Sequence, residues 1–244
     1  MDTGLVIIAF ALGGILKGAT GAGAPVIAVP LMTIFFGAPF AVAVFSIPNL
    51  VTNIWQGWVY RDHVVKGPLM LRFAVAGALG AGIGSFMLAW LPTEALTLTV
   101  ALSVLAYVGF RAARPGWTLA LPHAERLAAP LGLLGGILQG AAGLSAPVSL
   151  SFLNAIRLER GQFIVTISVF FFGMALVQIP LLTGLGILTA ERFLLSCLAL
   201  VPLMATMPLG AWLARRISAN AFDRVILVLL VLLSLRLIWQ AVFG

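Results

Sequence analysis

Acidic side chains are scarce in this chain, and none falls inside an apolar run. The seven are Asp2, Asp62, Glu94, Glu125, Glu159, Glu191 and Asp223, all at segment ends or in loops. The two histidines, His63 and His123, are placed the same way. An intramembrane metalloenzyme needs carboxylates or imidazoles in its core, and so does a side-chain proton relay. No catalytic residue, metal or cofactor is therefore expected. A Ser–Lys dyad built on Lys17 lacks a neighbouring serine. There is one cysteine, Cys197, so no intrachain disulfide can form. Charged residues make up 9% of the chain, where a soluble domain carries about 25%. Such a chain cannot cover a water-facing surface. A basic n-region is also missing, because Asp2 precedes the first apolar run, which argues against a cleavable signal.

What is there is apolar: 62% hydrophobic residues, in runs that reach the roughly 20 residues a spanning helix needs. The net charge of +7 sits mainly in short loops between these runs, the pattern of membrane orientation rather than of nucleic-acid binding. The expected setting is the lipid bilayer, as a multi-pass protein of the inner membrane. Homo-oligomerisation is left open. Trp55, Trp58 and Tyr60 near Arg61, Trp212 near Arg215, Trp90 near Pro92, and Trp239 suit an aromatic belt at the membrane surfaces.

Charges and Gly/Pro breaks divide the chain into eight segments, at 4–36, 40–60, 69–91, 95–111, 127–154, 161–183, 193–214 and 221–243. Residues 111–126 read as a Pro-containing linker. At a shift of 122 residues, GGILKGATGAGAPV aligns with GGILQGAAGLSAPV without a gap, with ten of fourteen positions identical. The same shift pairs Ser46 with Ser168 and Gln56 with Gln178. The chain therefore reads as two repeats, 1–122 and 123–244, each opening with a segment broken by glycines and a proline.

A broken segment is either a long kinked span or a re-entrant hairpin. Loop charge favours the hairpin. If all eight segments span, Arg61, Lys66, Arg72, Arg111, Arg114, Arg126 and Arg192 share one side, and Arg157, Arg160, Arg215, Arg216 and Arg224 the other. With two hairpins, Arg192 stands alone against the remaining eleven, as the positive-inside rule prefers. Each half is then a hairpin plus three transmembrane helices, and an odd number of spans inverts one half relative to the other. The expected fold is an all-α polytopic membrane protein of two inverted-topology repeats. The hairpins would enter from opposite faces and bring their tips together near the midplane.

Pro25 and Pro147 suit the first turn of a new helix, whose free N–H groups and positive end favour an anion. The candidate binding residues at the tips are Lys17, Gly18, Thr20, Gly21, Gly23, Ala24 and Pro25 in the first half. In the second they are Gln139, Gly140, Gly143, Ser145, Ala146 and Pro147. Small residues also let membrane helices approach closely, and Gly77, Gly80, Gly84 and residues 132–136 are read that way. A lysine in a membrane core is costly and functional by default; Lys17 could attract an anion, snorkel, or bond free carbonyls. Ser46, Asn49, Asn53 and Gln56 fall on one helix face, and Ser168 and Gln178 survive in the second half. They read as pathway lining or as interhelical glue.

GILKGATGAGAPVIAVPL with VAVFSIPNLVTN, and GILQGAAGLSAPVSLSFLNAI, give the chain a likeness over essentially its whole length. It resembles the TauE/SafE family of sulfite and organosulfonate exporters. The resemblance implies a transporter, most simply an exporter, of a small sulfur-containing anion such as sulfite, thiosulfate, sulfoacetate or sulfolactate. Many members carry a fuller glycine run where this chain has Gly21-Ala22-Gly23 and Gly143-Leu144-Ser145, which leaves the identity of the anion open. An importer or channel for another small anion, and a non-transporting membrane scaffold, are the alternatives.

Overall fold

The computed structural model describes residues 3–113, 117–216 and 219–243. Asp2 and Arg114 lie outside them, as do the side chains of Asp223 and Arg224. The described residues form ten α-helices: α1 (Thr3–Thr20), α2 (Ala24–Phe36), α3 (Ala38–Val59), α4 (Leu69–Trp90), α5 (Thr93–Ala113), α6 (Leu121–Ala142), α7 (Ala146–Ile156), α8 (Arg160–Gly184), α9 (Ala190–Arg216) and α10 (Ala219–Phe243). Six of them, α1, α3, α4, α5, α8 and α9, are long and apolar enough to cross a bilayer. The fold is an all-helical polytopic membrane protein.

Both broken segments double back. Val148 Cγ1 and Ser145 Cβ lie within 3.8 Å of where a Cβ on Gly135 would stand, and Ala28 Cβ lies 3.2 Å from one on Gly13. In a continuous helix the residues of the Gly13–Ala28 pair would be about 22 Å apart. Both turns use the same device. Gly21 (φ 88°) and Gly143 (φ 68°) are left-handed, and their N–H groups bond the carbonyls of Lys17 (2.7 Å) and Gln139 (2.8 Å). This is the αL helix ending, which glycine adopts without the Cβ clash other residues meet. Pro25 and Pro147 then open the return helices.

The limbs differ from the expected pair of half-helices. α1 has 18 residues and α6 has 22, followed by return limbs of 13 and 11. At 1.5 Å per residue the first limbs are about 27 and 33 Å long, close to the full hydrocarbon thickness. The 111–126 stretch is also less of a linker than its charges suggest. α5 runs to Ala113, and α6 begins at Leu121, with Pro122 in its first turn and Glu125 and Arg126 helical.

Helix pairing is the same in both halves once elements 122 residues apart are exchanged. α1 packs on α9 and α6 on α4; α3 packs on α9 and α8 on α4; α2 packs on α10 and α7 on α5. α3 and α8 pair with each other, as do α5 and α10. Gly57 lies beside Ser168 and His63 beside Gly161, so α3 and α8 run antiparallel.

Small residues set the tightest contacts. A Cβ on Gly80 or Gly84 of α4, or on Gly132, Gly136 or Gly140 of α6, would strike the backbone of the other helix. Gly14 and Gly18 of α1 abut the carbonyls of Leu203 and Met207, and Gly210 of α9 abuts that of Ile15. Without a hydrophobic drive between helices in lipid, such backbone approach supplies much of the association.

Candidate functional site

Lys17 stands in the last turn of α1 and is 2% exposed. Its Nζ donates to Asn53 Oδ1 at 3.0 Å. Asn53 in turn donates through Nδ2 to Asn49 Oδ1 at 2.8 Å and to the Asn49 carbonyl at 2.7 Å. The polar face of α3 is thus a ladder that begins at an amine. An ammonium has three donors, and one protein partner accounts for one of them. Among the described residues no Asp, Glu or His is buried near it.

The first tip follows. Thr20 Oγ1 donates to the Leu16 carbonyl (2.8 Å) and accepts from the Gly23 N–H (3.0 Å), so it shapes the turn. Gly23 packs on Leu16 and Thr20, and Gly21 on Ile164 of α8. Ala24 and Pro25 start α2 and are buried.

Two cavities meet at this tip. One of about 340 Å³ is lined by Thr20, Ala22 and Gly23 together with Asn154, Arg111, Arg157 and Arg160. The other, of about 540 Å³, is lined by Gly18, Gly21, Gln56, Tyr60, Arg160 and Arg215. Arg160 borders both. Arg157 is the one described non-glycine residue with a left-handed backbone, φ 55°, and it caps α7 at the rim of the first cavity. The ends of α5, α7 and α9 and the start of α8 therefore gather arginines around the first tip. Such a concave cationic surface concentrates anions.

The second tip is built differently. Ser145 Oγ bonds Ser149 Oγ at 3.0 Å, and both are fully buried. Gly143 packs on Val29 of α2 and Val42 of α3. Ala146 and Pro147 start α7. Gln178 Nε2 donates to the Gln139 carbonyl at 3.4 Å, and Gln139 Oε1 is buried without a partner. The tips do not meet. On α3 the first contacts Asn53 and the second Val42, eleven residues apart, which is about 16 Å along the axis. Near-full-length first limbs carry each tip past the middle of the bundle.

Other candidates sort plainly. Gly18 and Gly140 are helix-packing positions, pressed on Met207 and Ala81 carbonyls, although Gly18 also borders the larger cavity. Ser46 Oγ bonds the Ala43 carbonyl at 2.7 Å. Gln56 Oε1 and Ser168 Oγ are buried with no partner.

Ser196 was not legible in the sequence. Pro48 has no N–H, which leaves the Val44 carbonyl without its helical donor. Ser196 Oγ of α9 donates to that carbonyl at 2.7 Å and accepts from the Ile47 N–H at 3.1 Å. Pro48 signals an orphan carbonyl but not which helix supplies the hydroxyl.

No curated protein and no solved structure matches this chain. A family model described as sulfite exporter TauE/SafE matches residues 5–237. That match covers the basic cavities, both tips and nearly every helix, and the chain belongs to the sulfite exporter TauE/SafE family of membrane transporters.

Proposed function

We propose that this protein exports a small sulfur-containing anion, sulfite, thiosulfate or an organosulfonate, across the inner membrane. The anion enters from the arginine-lined cavities, which the positive-inside rule assigns to the cytoplasm. It is then held at the first tip by the Lys17 amino group, the Gln56 amide and the opening turn of α2. The observation that carries this reading is Lys17, buried, with one hydrogen-bond partner, next to a left-handed turn that faces a cationic cavity. Release past the second tip follows a rocking of the halves. The shared pairing rule and the antiparallel α3 and α8 support reading those halves as an inverted-topology repeat.

A negative-inside potential drives an anion outward by about 2.3 kcal/mol per charge per 100 mV, so exit needs no buried acid as a proton carrier. Proteoliposome flux of a radiolabelled sulfur oxyanion at fixed pH tests the proposal. Flux should rise with an inside-negative potential and fall strongly in Lys17→Met. Flux indifferent to both would reject it.

A further inference from the structure

The smaller of the two cavities at the first tip, of about 340 Å³, lies across the end of α1 from the larger one. Leu16 and Thr20 face it, whereas Gly18 and Gly21, on the far side of the same turn, face the larger cavity. Lys17, tied to α3, is not part of its wall. An anion seated here is therefore a different anion from one held by Lys17. The polar wall comes from three helices. Tyr107 and Arg111 belong to the end of α5, Asn154 and Arg157 to the end of α7 and its cap, and Arg160 to the start of α8. No carboxylate lines the space. Glu159 lies between two of the arginines in sequence, but its side chain accepts the Gln162 N–H to cap α8.

The fold itself does not ask for this polarity. At the 122-residue shift Asn154, Arg157 and Arg160 correspond to Met32, Phe35 and Ala38. The positive-inside rule accounts for the two arginines but asks nothing of Asn154. Arg157 also carries the left-handed ending of α7 (φ 55°), a conformation that glycine takes without a clash and arginine does not. We propose that this cavity is a second anion site, for a doubly charged oxyanion of phosphate or sulfate type, separate from the transported anion. Three guanidinium groups around one space repel one another, and a dianion offsets that repulsion more than a monovalent ion does. Their planar forks match the oxygens of such a group. A water takes up about 30 Å³, so the cavity has room for about ten, enough for one oxyanion with part of its hydration. Free phosphate and the headgroup of phosphatidic acid offer the same chemistry. Arg160 borders both cavities, so an anion here weakens the pull of the larger cavity on its own anion. That consequence rests on the transport reading above. The binding does not.

The test is equilibrium binding of radiolabelled inorganic phosphate to the full-length protein in non-ionic detergent, with ionic strength held constant by chloride. Phosphate should bind saturably, sulfate should displace it, and further chloride should not. Arg157→Gly keeps the left-handed backbone and loses the guanidinium. It should unfold at a higher temperature than wild type, yet bind phosphate at least about tenfold more weakly, the fold-change for losing a hydrogen bond to a charged group. Lys17→Met should still bind phosphate. Phosphatidic acid added to the micelles separates the two sources. Displacement of phosphate assigns the site to a lipid headgroup, and no displacement assigns it to a free anion; the site stands in both cases.

In proteoliposomes at the same ionic strength, phosphate should raise the KM for sulfite in wild type and leave that of Arg160→Gln unchanged. Phosphate bound as tightly by Arg157→Gly as by wild type would overturn the site. So would binding lost in Lys17→Met, which would place the phosphate with the transported anion, or displacement by chloride as readily as by sulfate, which would reduce it to diffuse attraction. An equal rise in KM in wild type and Arg160→Gln would overturn the link through Arg160. Specific phosphate binding without any sulfite flux would leave the site standing and reject the transport reading.

Discussion

Lys17 and Asn53 lie 36 residues apart in sequence and are joined by a buried 3.0 Å hydrogen bond that ties the first hairpin to α3. Removing one partner strands the other. Asn53→Leu should cost about 1–3 kcal/mol, the penalty for an unsatisfied buried polar group. The double variant Lys17→Met/Asn53→Leu should recover most of that in detergent thermal unfolding yet transport no anion. A double variant as unstable as Asn53→Leu alone would show that the pair is not coupled.

Ser196 stands in for the N–H that Pro48 lacks. Ser196→Ala exposes the Val44 carbonyl and the Ile47 N–H, and should destabilise by about 1–3 kcal/mol. Pro48→Ala restores a donor within α3, so Pro48→Ala/Ser196→Ala should be more stable than Ser196→Ala alone. Additive losses in a double-mutant cycle would refute the substitution of one donor for the other.

Arg157 and Arg160 line the cavity at the first tip and are solvent-exposed. Arg160→Gln should raise the KM for the transported anion while leaving kcat nearly unchanged. The gap from wild type should narrow as ionic strength rises, because exposed charges are screened beyond about 10 Å at 0.1 M salt. A salt-independent gap would mean that Arg160 acts through packing.

Gly18 and Gly140, candidates at the two tips, press on carbonyls of neighbouring helices. Gly18→Ala and Gly140→Ala should each lower the unfolding temperature clearly, whereas Gly109→Ala should not. An unchanged unfolding temperature for Gly140→Ala would show that α4 and α6 can separate freely.

The hairpins were legible because their signals are local. Gly21 and Gly143 end helices, Pro25 and Pro147 begin them, and the shift of 122 residues repeats all four. The depth of the tips was not legible. It depends on where α1 and α6 begin, and the Glu125–Arg126 pair that reads as loop sits within α6. The ladder on α3 was visible as spacing, since Asn49 and Asn53 are four apart. Its attachment to Lys17 is a tertiary fact that spacing does not contain. Gln56 was picked out by its place on the α3 face and Ser168 by the 122-residue shift, and only their lack of partners in the packed bundle separates them from Ser46, which bonds its own helix.

The crossed pairing of α1 with α9 and of α6 with α4 bears on how the protein is made. The first hairpin leaves the ribosome long before the helix against which its glycines close. Until α9 arrives, Gly14 and Gly18 have no backbone to meet, so the nascent amino-terminal half must wait in the membrane with its tip unclamped. A split gene expressing the two halves as separate polypeptides should therefore yield activity only when both are present. Each fragment alone should be cleared by quality-control proteolysis.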